Sequence, residues 1–287
     1  MDINAFIARF DAGLKDIENG SPAVARQRYE QLCQTFAPPN PSGMTITDET
    51  WKSVALRHFI PASAQSGQVL YIHGGGFTLG SIDSHHGVAA SLAEQLKRHV
   101  ISISYCLAPE ASYRNMLEGC LKVAKATKPI AVVGDSAGGR IAIDLAPLLH
   151  RSLLHRSLLH RSLLVGLIYP PVGKLNQQTL GADAPLLSRH DVLSLIPYCP
   201  WIGNHVDTFP PEMQIEVLSV EHDPLTAPLE KAVASWRDSG MQVGYRCAKN
   251  MVHAALHAHA DLPEMQSAWQ DFCQALNKRL TQNSSYW

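Results

Sequence analysis

Apolar residues recur at three- and four-residue steps near the start of the chain, at Phe6, Ile7, Phe10, Leu14 and Ile17. That is the period of one helical face, and helices are expected over 3–18 and 22–36. PPNPSG (38–43) breaks the pattern. Beyond it, short apolar runs alternate with stretches of helical periodicity. VLYIHGGG (69–76), HVISISY (99–105), IAVVGDSAGG (130–139), VGLIYPPV (165–172), IEVLSVEHDPL (215–225) and VGYRCA (243–248) read as strands, several running straight into turns. Helices are expected between them, over 85–98, 114–126, from 137 onward, over 227–240 and over 263–280. Strands alternating with helices predict an α/β fold: a mostly parallel central sheet covered by helices on both faces. The stretch at about 185–208 interrupts the alternation. It reads as an insertion that, with the N-terminal helices, forms a small helical cap over one end of the sheet.

One segment fits neither period. LLHRSLLHRSLLHRSLL (148–164) holds three copies of HRSLL, at His150–Leu154, His155–Leu159 and His160–Leu164. A five-residue step turns a helix by roughly 140° and switches strand faces each time, so the leucine pairs form no single stripe. The repeat contains no Gly or Pro to stop a helix begun after Ser136, and a helix reaching Leu164 would be about 40 Å long.

Composition narrows the class. With 287 residues, 46% hydrophobic and 17% charged, the chain can bury a sizeable core as one large domain or two small ones. A net charge of -1, without a basic run, speaks against a nucleic-acid partner. The N-terminal residues include early acidic side chains and do not read as a signal peptide. No apolar run approaches the roughly 20 residues that span a bilayer. The six cysteines, Cys33, Cys106, Cys120, Cys199, Cys247 and Cys273, form no CxxC pair and have no metal-ligand spacing; they read as reduced thiols packed as small hydrophobes. A cytoplasmic protein without metal or membrane span is expected.

Three motifs carry chemistry. GDSAGG (134–139) lies between a strand and a helix and fits G-x-S-x-G, which presents Ser136 on a sharp turn at the sheet's carboxyl end, with the free amides of a helix N-terminus beside it. HGGGF (73–77) also follows a strand. Its glycines allow N–H groups to converge on the oxyanion of an acyl-transfer intermediate, with Gly75, Gly76 and Ala137 as the donors. A phosphate loop is the competing reading, but the G-K-[ST] ending is missing. A serine nucleophile needs a base, and the base a carboxylate. Asp223 in EHDPL and His253 in NMVHAAL each stand at a strand's carboxyl end. Among 14 histidines, His257 and His259 are the near rivals of His253. Asp207 and Asp261 are weaker alternatives to Asp223, and Glu221 and His222 read as solvated or structural.

HGGGF, YCLAPE (105–110), GDSAGG, DPL (223–225) and MVH (251–253) stand in order along the chain. Together they resemble the hormone-sensitive-lipase family of α/β-hydrolases, of the bacterial carboxylesterase and acetyl esterase type, over roughly residues 50 to 280. The resemblance implies an α/β-hydrolase fold with Ser136 as nucleophile, His253 as base, Asp223 as its partner, and Gly75, Gly76 and Ala137 as oxyanion hole. It implies a cap segment over 1–45 and a catalytic domain over 46–287, with a cap insertion at about 185–208. This chain departs from the family at Cys106, where a basic residue is usual, at Ala254-Ala255, where Gly-Phe is usual, and at ASYRNMLEG (111–119), where a proline-rich stretch is usual. The repeat is longer than the family's connection by about one unit and reads as a tandem duplication. It is either a tolerated surface insertion or a segment whose copy number alters activity or stability; deleting one copy and measuring melting temperature and turnover separates the two.

The expected activity is hydrolysis of carboxylic esters, of short acyl chain, through an acyl-enzyme and without a cofactor. A histidine base must be neutral, so activity is expected to rise through roughly pH 6 to 7. The alternatives are an amidase, peptidase or lactonase on the same scaffold, a ligand-binding receptor built on an inactive hydrolase, and an interaction module using the repeat. Trp201, Tyr198 and Phe36 are candidate pocket residues, each also readable as packing. The partner is a small-molecule ester, and a homo-oligomer stays open because excess exposed leucine favours self-association.

Overall fold

The computed structural model describes residues 1–17, 20–154, 163–200 and 207–284. Within these, eight strands join one sheet: β1 (Thr45–Trp51), β2 (Val54–Ile60), β3 (Gln65–Ile72), β4 (Arg98–Ser104), β5 (Ala131–Asp135), β6 (Leu164–Ile168), β7 (Gln214–His222) and β8 (Gln242–Val252). Their order is β1-β2-β4-β3-β5-β6-β7-β8. From β4 to β8 every neighbouring pair is parallel, while β1 and β2 pair antiparallel and β2 runs antiparallel to β4. The helices are α1 (Ile3–Ile17), α2 (Pro22–Gln34), α3 (His86–Leu96), α4 (Tyr113–Thr127), α5 (Ser136–Leu154), α6 (Arg189–Ser194), α7 (Thr226–Asp238) and α8 (Pro263–Ser284).

The inner strands are apolar on both faces because both faces are covered. Leu70 and Ile72 of β3 pack with Val132, Val165, Leu167 and Val217 under α4, α5 and α7. The alternate residues Val69 and Tyr71 pack with Val133, Leu164, Leu218 and Val220 against α1, α2, α3 and α8. The expected α/β-hydrolase architecture, a mostly parallel sheet between two helical layers, is what the chain forms.

Sequence patterning missed the β1–β2 hairpin. Its turn residues Lys52 and Ser53 have φ of 45° and 71°, the geometry of a tight hairpin turn, but without the Asn-Gly or Asp-Gly that signals one. A helix does not run through the whole repeat: α5 is described as far as Leu154, and Leu164, the last residue of the third copy, opens β6; residues 155–162 lie outside the described ones. The stretch at 185–208 holds α6 and a 3-10 turn at Ile196–Tyr198, and Trp201 lies outside the described residues. Among the described residues no helix is long and apolar enough to cross a membrane.

Parallel strands send all their carboxyl ends to one edge of the sheet, where α/β folds bind ligands. The ends of β3, β5, β7 and β8 bring His73–Phe77, Ser136, Asp223 and His253 to that edge.

Candidate active site

Ser136 has φ of 49° at the junction of β5 and α5, a value that side chains other than glycine rarely adopt. The bend lifts its side chain off the strand end. It closes because α5 starts hard against β3: a Cβ on Gly138 would collide with the carbonyls of Ile72 and His73.

Asp223 is buried at the end of β7. Its Oδ1 accepts from the Leu225 amide at 2.8 Å, and its Oδ2 lies 2.7 Å from His253 Nδ1. A carboxylate only accepts, so Nδ1 carries the proton and Nε2 is left to accept from the Ser136 hydroxyl, 2.9 Å away. The Tyr169 ring, 4.5 Å from the imidazole centroid to centroid, walls one side of His253.

Gly75 and Gly76 have φ of 110° and 59°, backbone that glycine adopts at little cost. The loop is tied down on both sides. The Leu79 amide donates to Gly75 O at 2.8 Å, and the Ala108 amide, from YCLAPE, donates to Phe77 O at 2.9 Å. The Tyr105 hydroxyl donates to His73 O at 2.9 Å, with its ring stacked on His73. Ala137 is the second residue of α5, so its N–H has no acceptor within the helix. Leu195, between α6 and the 3-10 turn, lies over this loop: a Cβ on Gly76 would sit 3.2 Å from Leu195 Cδ2.

The rival residues go elsewhere. His257 is buried against Tyr29, Cys33 and Phe10. His259 bonds Leu256 O and packs on Trp269. Asp207 accepts from Arg140 at 2.7 Å and from the Gly173 amide at 2.7 Å, and Asp261 is exposed. Glu221 accepts from the Asn250 amide. Phe36 is buried among Phe6 and Phe10 as packing, and Tyr198 packs against the core at the other sheet face. Among the described residues, no three His, Cys, Asp or Glu side chains gather as a metal site.

Two residues that sequence reasoning passed over stand directly behind the site. Asp135, inside the GDSAGG motif, is buried, and its Oδ1 accepts from the Tyr71 hydroxyl at 2.6 Å and from the Gly74 amide at 3.0 Å. His85, also buried, places Nε2 3.3 Å from Asp135 Oδ2, at ion-pair distance though not aligned as a hydrogen bond. Burial alone would raise the Asp135 pKa, but His85, the Tyr71 hydroxyl and His257 bring it down to about 2. Burial, with His85 nearby, pushes His73 and His257 down to about 3. The signal for Asp135 was its place beside the serine; nothing local marks His85.

Comparison with known proteins gives a consistent relationship. Residues 69–257 match the model of a family described as having the alpha/beta hydrolase fold. The chain is 30% identical to the esterase LipI of Mycobacterium tuberculosis over 270 residues, 84% of this chain and 79% of that one. It is 28% identical to the ethyl acetate hydrolase of Pseudomonas putida over 175 residues, 56% of this chain and 52% of the relative. The crystal structure of an esterase from the bacterial hormone-sensitive lipase family superposes with a TM-score of 0.77 at 18% identity, covering 95% of this chain and 97% of the other. At that identity the likeness speaks for the fold.

Proposed function

This chain belongs to the α/β-hydrolase family, and from that premise we propose that it is a carboxylesterase using Ser136, His253 and Asp223. One observation carries the reading: Ser136 Oγ, His253 and Asp223 form a continuous line, with contacts of 2.9 and 2.7 Å. His253 takes the Ser136 proton as Oγ attacks the ester carbonyl. The oxyanion rests on the amides of Gly75, Gly76 and Ala137, and His253 then protonates the departing alcohol. Water, activated by the same imidazole, releases the acid, while Asp223 holds the productive tautomer.

The acyl chain it takes is short. The esterase names of the relatives support ester chemistry, and the ethyl acetate hydrolase among them supports a small acyl group. Leu195 over Gly76 supports it from the geometry, since it narrows the space beside the oxyanion site. In this reading α1, α2 and the described residues of the stretch at 185–208 form the cap over the catalytic domain.

The test is hydrolysis of p-nitrophenyl esters of increasing acyl length by the natural chain and by Ser136→Ala. Turnover highest on acetate or butyrate and at least about 10³-fold lower in the variant is the expected result. Undiminished turnover in Ser136→Ala would remove the serine from the mechanism.

A further inference from the structure

The two glycine motifs of the site are joined by a buried polar chain that the reaction itself does not use. Asp135 ends β5 one residue before Ser136, and Gly74 opens the loop that carries Gly75 and Gly76. The Asp135 carboxylate spans the gap between them. Oδ1 receives the Gly74 amide and the Tyr71 hydroxyl, and Oδ2 faces His85. The fit is close, because a Cβ on Gly74 would collide with Asp135 Oδ2 and lie 3.2 Å from Ser136 Cβ. His85 is itself held by the Ser84 hydroxyl at Nδ1, 2.8 Å away. Its ring lies 4.6 Å from that of His257, whose Nε2 is 3.4 Å from the Tyr29 hydroxyl of α2. The chain thus runs from the N-terminal helices to the first amide of the oxyanion loop.

We propose that Asp135 and His85 are positioning residues for the oxyanion site: His85 orients the Asp135 carboxylate, and that carboxylate anchors Gly74 so that the Gly75 and Gly76 amides face the oxygen of the carbonyl that Ser136 attacks. The inference rests on the esterase reading. An anchor of this kind does not touch substrate. It acts where charge develops, so its loss lowers kcat and leaves KM nearly unchanged. A carboxylate serving only the core would lower stability without that signature. The depressed pKa of Asp135 agrees with an acceptor that stays ionised at every pH at which a histidine base works.

The experiment compares Asp135→Ala, Asp135→Asn and His85→Phe with the natural chain. It reads kcat and KM on p-nitrophenyl acetate, inhibition by a trifluoromethyl ketone that mimics the tetrahedral oxyanion, and melting temperature. Asp135→Ala is expected to lose about 10²-fold in kcat, the scale of a displaced oxyanion donor, with KM within about threefold and the ketone affinity falling in parallel. Asp135→Asn keeps an oxygen for Gly74 and is expected to recover at least about tenfold of that loss. His85→Phe is expected to fall between the two. A lowered melting temperature with kcat and ketone affinity preserved overturns the proposal, as does a rise in KM alone. If Asp135→Ala does not fold, natural values in His85→Phe overturn it equally. A natural chain that neither turns over an ester nor binds the ketone sinks the esterase reading first, and this inference with it.

Discussion

Ala254 directly follows His253 with φ of 67°, where related hydrolases usually carry glycine. Placing alanine there costs about 1 kcal/mol relative to glycine, while glycine loosens the unfolded chain by about 0.4–1 kcal/mol. Ala254→Gly is therefore expected to leave stability unchanged or raise it by up to about 0.6 kcal/mol in urea denaturation; a loss of about 0.4 kcal/mol or more would show that the residue is not strained. Gly138→Ala is the opposite case, since its Cβ meets backbone carbonyls that cannot swing aside. A loss of about 3 kcal/mol or more is expected, and a variant of natural stability would mean that α5 can shift away from β3. At this scale the sequence was most readable for Ser136, because G-x-S-x-G between strand and helix has few other uses. It was least readable for the choice of histidine. His253 and His257 are four residues apart, and what separates them is that one faces Ser136 while the other is buried against Tyr29 and Phe10.

Elements are held together by a buried acid that no sequence pattern announced. Glu216 on β7 accepts from Arg246 of β8 at 2.8 Å and from Arg279 of α8. Gly244, its partner across the β7–β8 ladder, leaves the carboxylate room to turn. Glu216→Ala takes the buried acid from two mostly covered arginines, leaving Arg279 with no carboxylate among the described residues and Arg246 with Asp271 alone, at 2.8 Å, and a loss of about 3 kcal/mol is expected. A loss below about 1 kcal/mol in a denaturant titration would mean that water and Asp271 satisfy the two guanidinium groups. The β1–β2 hairpin shows why one element was missed. β1 is an edge strand whose side chains are mostly exposed, so its alternation carries little hydrophobic signal, and its turn achieves positive φ without glycine. The central strands were readable because their apolar runs stop at motifs.

For the whole molecule, the buried imidazoles set a direction for acid sensitivity. His73 and His257 titrate at about 3 when folded, against 6.5 for the free side chain. Between those values the unfolded chain binds protons that the native one refuses, so stability falls as pH drops from about 6.5 to about 3. Each contributes up to about 1.4 kcal/mol per pH unit. Asp135 acts in the same direction lower down: its stabilisation, present above 3.8, is lost as pH falls toward about 2. His86, His99 and His259, also lowered by burial, act in the same direction. Urea titrations at pH 6.5, 5.5 and 4.5 are expected to show stability declining as pH falls, with His73 and His257 together contributing up to about 3 kcal/mol per unit and His257→Phe removing up to about 1.4 kcal/mol per unit of the slope. Stability independent of pH over that range would mean that these imidazoles are protonated in the native protein.

The sequence by itself determined the α/β class, the strands whose ends meet at one edge of the sheet, and the order in which Ser136, Asp223 and His253 stand at those ends, because each depends on local periodicity or on a short motif. The tertiary structure decided which histidine faces the serine and how the sheet closes at its antiparallel edge. It also decided what stands behind the oxyanion loop. His85 and Asp135 are 50 residues apart in the sequence, and only the packing of α3 and β5 around β3 brings their side chains to 3.3 Å. Contacts of that kind depend on how distant elements pack, and no stretch of neighbouring residues records them.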